Sequence, residues 1–201
     1  MNRKKGQILT VVLGAALLAF VLWMPRQPEM EQDLIVSDDL ISETDPVAEA
    51  VELVSGPNPM EGVMALRALA EQEEPNVEAV VWLGVFGVQS GQLDKARERF
   101  SQALVLEPGH LEATWQLAML DMEEEAYDRA VVGFEACMKG DSAYSNGLFF
   151  TARCYEAMGK PEAAIIRYQE YLPFASDTVI ADRVMDFITR LESGVSSRTN
   201  E

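Results

Sequence analysis

A short pattern of small and aromatic residues recurs in this chain every 34 residues. Each copy has a small residue, an aromatic residue four positions later and a third residue three positions after that. The copies are Ala96, Phe100 and Ala103; Ala130, Phe134 and Cys137; and Ala164, Tyr168 and Tyr171. These spacings place the residues on one face of an α-helix, and a face that returns every 34 residues is typical of stacked helix–turn–helix units. The pattern therefore predicts an all-α fold.

The residues around each copy agree with a helical hairpin. Gly84 lies twelve residues before the first copy, Gly91 separates the two helices, and Pro108 closes the unit. Ala118 and Ala152 supply small residues at the position of Gly84 in the next two units. Together these residues resemble the tetratricopeptide repeat, and the resemblance covers about half of the chain.

The resemblance implies a right-handed superhelical stack of two-helix units at 77–110, 111–144 and 145–173. The first unit matches the family pattern closely. The second departs from it at Glu125, where glycine is usual, and at Ser142, where proline is usual. The third has the bulky Tyr171 at a position that is usually small, which suits a terminal unit whose outer neighbour is not another repeat.

Flanking segments complete the predicted array at 46–194. A degenerate unit is expected at 46–76, because Gly62, Leu66 and Leu69 align with the first copy after a shift of 34 residues. A capping helix is expected at 178–193, and a polar, disordered tail at 195–201. The helices are predicted at 46–54, 60–73, 77–90, 93–106, 111–124, 127–139, 145–158, 161–172 and 178–192.

The N-terminal residues 1–25 are predicted to form a transmembrane anchor. Residues 8–24 are apolar apart from Thr10, which is close to the shortest length that spans a bilayer, and a basic start precedes them. This asymmetry predicts a single-pass protein of the bacterial inner membrane, with a cytoplasmic N-terminus and the array on the periplasmic side. A cleaved signal peptide or a buried soluble helix are the alternatives. Residues 26–45 form an acidic linker, either a solvated tether or a short helix that docks on the array or a second copy.

The charge of the chain restricts its partners. The net charge is −17, and four cations without any acid fall in the first 26 residues, so the remaining chain carries −21. This balance argues against binding of nucleic acid and against adsorption to anionic lipid.

We find no constellation of residues that would carry catalysis, bind a cofactor or hold a metal. His110 is the single histidine, and it lies at the junction of two units, where we expect a surface loop. Cys137 and Cys154 lie on predicted inward faces and form no CxxC motif, so they are either two buried thiols or a disulfide between adjacent helices. The prediction is that the chain is not an enzyme and has no cofactor.

The resemblance also implies where a partner would bind, because the first helix of each unit lines the inner groove in this family. The groove residues carried over to this sequence, which form our candidate site, are Val81, Val85, Gln89, Trp115, Met119, Met122, Glu123, Phe149, Arg153 and Glu156. Their apolar middle and acidic edges suit an amphipathic or extended segment with basic flanks. Only Arg153 is basic, so the family's carboxylate-clamping groove is not expected.

The expected function is therefore a membrane-anchored scaffold that binds a protein or peptide partner and that would assist the assembly or secretion of envelope proteins. Three states of the groove remain open at this point: an open site, a site filled by the linker, or residues of the core. A structural homo-oligomer, in which the groove or the capping helix pairs with another copy, is the alternative function. We expect no nucleic acid partner.

Overall fold

A computed structural model describes residues 45–198 of the chain, with side chains through residue 196. The predicted anchor, and the linker as far as residue 44, lie outside this range. The helices are α1 (Pro46–Ser55), α2 (Pro59–Ala70), α3 (Val77–Gln89), α4 (Leu93–Leu106), α5 (Leu111–Glu123), α6 (Tyr127–Gly140), α7 (Gly147–Ala157), α8 (Pro161–Tyr171) and α9 (Thr178–Arg198). Short 3₁₀ turns at Ser142–Asn146 and Leu172–Phe174 join α6 to α7 and follow α8.

The helices pack as consecutive hairpins. α1 packs on α2, α3 on α4, α5 on α6 and α7 on α8, and each hairpin then contacts the next through α2–α3, α4–α5 and α6–α7. α9 packs on α8 and covers the end of the stack. The prediction of an all-α stack of helix–turn–helix units with a capping helix is confirmed for residues 45–198. No helix within that range has both the length and the apolar character needed to cross a membrane.

The capping helix is longer than predicted. We expected a disordered polar tail from residue 195, but α9 continues to Arg198. The hydroxyl of Thr189 donates a hydrogen bond to the carbonyl of Met185 at 2.9 Å, and that of Ser193 donates to the carbonyl of Thr189 at 2.8 Å. Polar side chains that bond to the preceding turn are compatible with an exposed helix, so a polar composition alone did not mark its end.

The repeated pattern forms the core of the stack. Eight of its nine residues have no exposed surface, and the ninth, Tyr171, is 7% exposed. The small residues are required by the close approach of the paired helices. A Cβ atom added to Gly84 would lie 2.5 Å from Cε1 of Phe100, so any larger residue would push α3 away from α4.

The turns within the three complete hairpins, α3–α4, α5–α6 and α7–α8, share one conformation. Gly91 and Gly159 have φ angles of +73° and +68°, as expected for glycines that end a helix. Glu125 stands at the same position of the second unit and has φ +61°. In this turn the N–H of Ala126 donates to the carbonyl of Asp121 at 2.7 Å, which is the bond that closes a helix end of this type. The departure from the family pattern at Glu125 therefore changes the residue but not the turn.

Replacing Glu125 by glycine is expected to stabilise the protein by about 0.5–1 kcal/mol, because a side chain in the left-handed region is strained and glycine is not. The melting temperature should rise by roughly 1–4 °C in thermal unfolding followed by circular dichroism. Glu125→Ala is the matched control, since it removes the carboxylate but keeps the Cβ atom. Equal melting temperatures for the two variants would show that the effect comes from charge and not from the backbone.

Candidate partner-binding groove

The first helices α1, α3 and α5 contact one another in sequence, and an open cavity of about 340 Å³ lies on α5 beside the end of α3. Four residues of the predicted site line it: Trp115, Met119, Met122 and Glu123. Val88 from the end of α3 completes the apolar side, and the side chain of Glu123 is exposed. The structure thus brings together the part of the predicted groove that α5 contributes.

The ring of Trp115 is held rigidly by other aromatic rings. Its centroid lies 5.0 Å from that of Phe134, 5.3 Å from that of Tyr144 and 5.5 Å from that of Phe150. Trp115 is half-buried, so one side of the indole belongs to the core and the remainder lines the cavity. A rigid aromatic side chain of this kind offers a large contact area at little cost in conformational entropy.

A second cavity, of about 420 Å³, lies between α1 and α3 and was not predicted. Val47, Val51 and Trp82 supply its apolar surface, while Asp45, Glu52 and Glu78 are acidic. The sequence contained a signal for it, because Val47 and Val51 lie 34 residues before Val81 and Val85 of the predicted site. Both cavities therefore lie on first helices of the units and combine an apolar lining with carboxylates.

His110 lies in the loop between α4 and α5, at the junction of two units as predicted, but its side chain is largely buried between the units and not at the surface. Its Nδ1 accepts a hydrogen bond from the N–H of Ala113 at 3.3 Å and caps the start of α5. Nε2 therefore carries the proton and donates to Oε1 of Glu78 at 3.0 Å. The imidazole is only 10% exposed. The ring thus fixes α5 against α3 and orients a carboxylate that lines the second cavity.

The three predicted groove residues of the third unit face the capping helix. The ring of Phe149 lies 5.5 Å from that of Tyr171 and 6.5 Å from that of Phe187 on α9. Glu156 accepts a hydrogen bond from the hydroxyl of Tyr168 at 3.0 Å and one from Arg190 of α9 at 3.3 Å. Arg153 lies over the ring of Phe187. Because α9 engages all three, this part of the predicted site is occupied within the chain.

The three remaining predicted residues lie on α3, and they do not form one surface. Val81 is 2% exposed and belongs to the core, and Val85 is half-buried against that core. Gln89 lines a different cleft, between α2 and α4. The open part of the candidate site therefore consists of the α5 residues together with the unpredicted cavity on α1 and α3. We call these two cavities the acidic groove.

Burial controls the ionisation of three groups in the core of the second and third units. Desolvation raises the pKa of the Cys137 and Cys154 thiols to about 11 each, and both cysteines are buried and free. Desolvation, followed by the charge of Glu156, raises the pKa of Tyr168. The two thiols are thus protonated at neutral pH and behave as small apolar side chains.

A buried carboxylate links the first two complete units and was missed by the sequence analysis. Oδ1 of Asp121 on α5 lies 2.9 Å from Nη1 of Arg97 on α4 and 3.0 Å from Nη2 of Arg129 on α6. Glu124 contacts the same arginines at 3.0 Å and 3.9 Å from a more exposed position. Within residues 45–196, no three histidine, cysteine, aspartate or glutamate side chains lie close enough together to hold a metal ion.

No protein family model matches the chain, and no curated protein matches it. Similar folds are found among solved structures. A crystal structure of MamA covers 76% of this chain and 97% of that chain at 14% identity and a TM-score of 0.58. MamA from Desulfovibrio magneticus covers 76% and 97% at 16% identity and a TM-score of 0.60. A tetratricopeptide repeat protein from Parabacteroides merdae covers 74% and 59% at 14% identity and a TM-score of 0.63. The chain thus has the tetratricopeptide-repeat fold that its recurring residues predict.

Proposed function

We propose that this chain is a membrane-anchored scaffold that binds a segment of a partner protein in the acidic groove. The observation that carries the proposal is the pair of cavities on α1, α3 and α5, each with an apolar lining and carboxylates. Trp82, Trp115 and Met119 offer aromatic and flexible apolar contacts. Surfaces of this kind accept an amphipathic helix or an extended segment.

The charge of the groove defines the partner further. Asp45, Glu52 and Glu78 line one cavity, Glu123 lines the other, and neither contains a lysine or arginine. A bound segment with lysine or arginine beside its apolar side chains would complement these carboxylates, and its association would be faster at low salt. The partner is thus a protein segment with basic flanks.

The proposed anchor places this activity at a membrane. Residues 8–24 would span the inner membrane and hold the groove on its periplasmic side. Confinement to a surface raises the effective concentration of any partner that is also bound to the membrane, without any new contact. A role in the assembly or secretion of envelope proteins is consistent with such an arrangement.

Site-specific photo-crosslinking in native membranes tests the proposal. A photoreactive amino acid at position 119 faces the cavity, and one at position 132 is the matched control on α6, where Val132 is 67% exposed. We expect a heterologous product at 119 that is absent at 132 and weaker in a Glu78→Lys/Glu123→Lys background. No product at 119, or the same product at both positions, would contradict a specific groove.

A structural homo-oligomer is the second candidate function, and the end of the stack favours it. Phe174, Val179 and Met185 near the capping helix are 52%, 64% and 48% exposed. Apolar side chains at the end of a repeat array can pair with a second copy. A photoreactive group at position 185 would then give a product of twice the mass of the chain, and the substitution Met185→Glu would reduce the sedimentation coefficient of the full chain in detergent micelles.

A further inference from the structure

A cleft of about 510 Å³ lies between the second helices α2 and α4, and Leu83, Phe86 and Gln89 of α3 also line it. Met60 and Val63 of α2 and Phe86 of α3 supply apolar surface, and Met60 is 69% exposed. The ring of Phe86 is stacked on that of Trp82, with centroids 5.6 Å apart, so the wall it forms is fixed. The cleft is larger than either cavity of the acidic groove.

Cations line this cleft, and no acidic residue does. Arg67 extends from the last turn of α2, and Lys95 and Arg99 extend from α4. Lys95 donates a hydrogen bond to Gln92 at 2.8 Å and Arg99 to Gln102 at 3.0 Å, and both acceptors are neutral. None of the three cations forms an ion pair within residues 45–196.

The absence of an anionic partner is notable in a chain of net charge −17. Six of the other eight cations in the same range pair with carboxylates, whereas the widely separated Lys139 and Arg183 do not; the six are Arg97, Arg129, Arg153, Lys160, Arg167 and Arg190. Three cations brought together in one apolar cleft, with no carboxylate among its lining residues, create a local positive potential on an acidic protein. That potential is unused within the described residues.

We propose that this cleft is a second binding site, which takes a protein segment that carries carboxylates beside apolar side chains. The carboxylates of the segment would pair with Arg67, Lys95 and Arg99, and its apolar side chains would cover Met60, Val63 and Phe86. Arginine is suited to bidentate pairing with carboxylates. The site is distinct from the acidic groove in place and in charge, and it does not depend on the function proposed for that groove.

The apolar wall favours a peptide over other polyanions. A nucleic acid or a lipid headgroup would satisfy the cations with phosphates but would leave Met60 and Phe86 uncovered, and the negative charge of the rest of the surface would repel an extended polyanion. A short acidic segment with apolar side chains satisfies both features.

Selection from a library of phage-displayed random 12-residue peptides, with the full chain in detergent micelles as the target, tests the proposal. Selected peptides are synthesised with a fluorophore, and their affinity is measured by fluorescence anisotropy. We expect one selected class to combine at least two carboxylates with aromatic or aliphatic residues. For this class, Arg67→Glu/Lys95→Glu should weaken binding by at least about tenfold, because each reversal replaces attraction by repulsion.

Lys139→Glu/Arg183→Glu is the matched control, because it makes the same change of charge at two exposed cations that lie outside the cleft and form no ion pair within residues 45–196. The affinity of this control variant for the acidic peptides should stay within about twofold of the affinity of the unmodified chain. Circular dichroism spectra must match for both double variants.

Either of two peptide results would overturn the proposal: no acidic apolar class, or acidic peptides that lose equal affinity in both double variants. Phosphatidylglycerol vesicles that bind the unmodified chain but not Arg67→Glu/Lys95→Glu, without any acidic peptide class, would assign the cleft to a lipid and would also overturn it. Basic peptides that bind both double variants as well as the unmodified chain would report on the acidic groove alone, so the two proposals fail separately.

Discussion

Replacing Phe134 by alanine is expected to lower the free energy of unfolding by about 3–5 kcal/mol. Phe134 has no exposed surface and belongs to the middle copy of the repeated pattern. Its ring contacts those of Trp115 at 5.0 Å and Phe150 at 5.4 Å, so it joins α5, α6 and α7. Removing it leaves a cavity between two units, and the rigid helices around it can collapse only partly.

Thermal unfolding of the full chain measures this effect. The melting temperature should fall by roughly 6–20 °C for a chain of this size. Hydrogen exchange should quicken most in α5, α6 and α7, since each unit of a repeat protein contacts only its neighbours. Val132→Ala on the same helix is the control: Val132 is 67% exposed, and its loss should change the free energy of unfolding by less than about 0.5 kcal/mol. Comparable losses for the two variants would mean that the repeated face is not the buried face.

The same substitution has a consequence for the acidic groove. Phe134 supports the core side of Trp115, whose other side lines the cavity between α3 and α5. Without this support the Trp115 ring gains rotational freedom. A partner that binds must then fix the ring, and the loss of conformational entropy weakens binding. Phe134→Ala should therefore reduce crosslinking at position 119 even below the melting temperature, whereas Val132→Ala should not.

The fold was predictable because its determinants are periodic. The spacing of Ala96, Ala130 and Ala164 gave the positions of the second helices, and most predicted helix limits lie within one or two residues of those observed. The helix over 60–73 was predicted three residues too long, because Glu71 and its polar neighbours do not oppose a helix in the sequence, yet α2 ends at Ala70.

The candidate site was only partly predictable, because its limits depend on contacts between distant segments. The family pattern places Phe149 and Glu156 in a groove, but in this chain α9 brings Phe187 and Arg190 against them. A repeat position indicates which face of a helix a residue occupies, and it does not indicate whether a capping helix covers that face. Conversely, Val47 lies 34 residues before Val81, so the repeat could have predicted that it lines a cavity on the first helix of its unit.

Charged contacts between units carry no periodic signal, and Asp121 is the clearest case. Its counterparts one unit earlier and later are Gly87 and Tyr155, so nothing in the repeat predicts a carboxylate at this position. The side chain of Asp121 is 11% exposed, and those of Arg97 and Arg129 are 30% and 65% exposed. Asp121 thus depends mainly on Arg97, the more buried of the two arginines, to offset the cost of its burial.

Replacing Asp121 by asparagine is expected to lower the free energy of unfolding by about 2–3 kcal/mol, below the usual range for a fully buried pair because both arginines retain contact with water. The variant keeps the size of the side chain but leaves the guanidinium of Arg97 without its nearest anion. Urea unfolding of the full chain measures the loss. Glu124→Gln is the control, since Glu124 contacts the same arginines but is 46% exposed, and it should cost less than about 1 kcal/mol.

A double-mutant cycle then separates the two arginines. The coupling of Asp121→Asn with Arg97→Gln should exceed its coupling with Arg129→Gln, because the first pair is shielded more from solvent. Equal couplings, or equal losses for Asp121→Asn and Glu124→Gln, would show that burial does not set the strength of this network.

The same ion pair also supports the acidic groove. Arg97 belongs to α4 and Asp121 to α5, so the pair holds together the two units whose first helices, α3 and α5, line one cavity of that groove. Loosening it should widen that cavity and weaken partner capture at position 119 before it unfolds the chain.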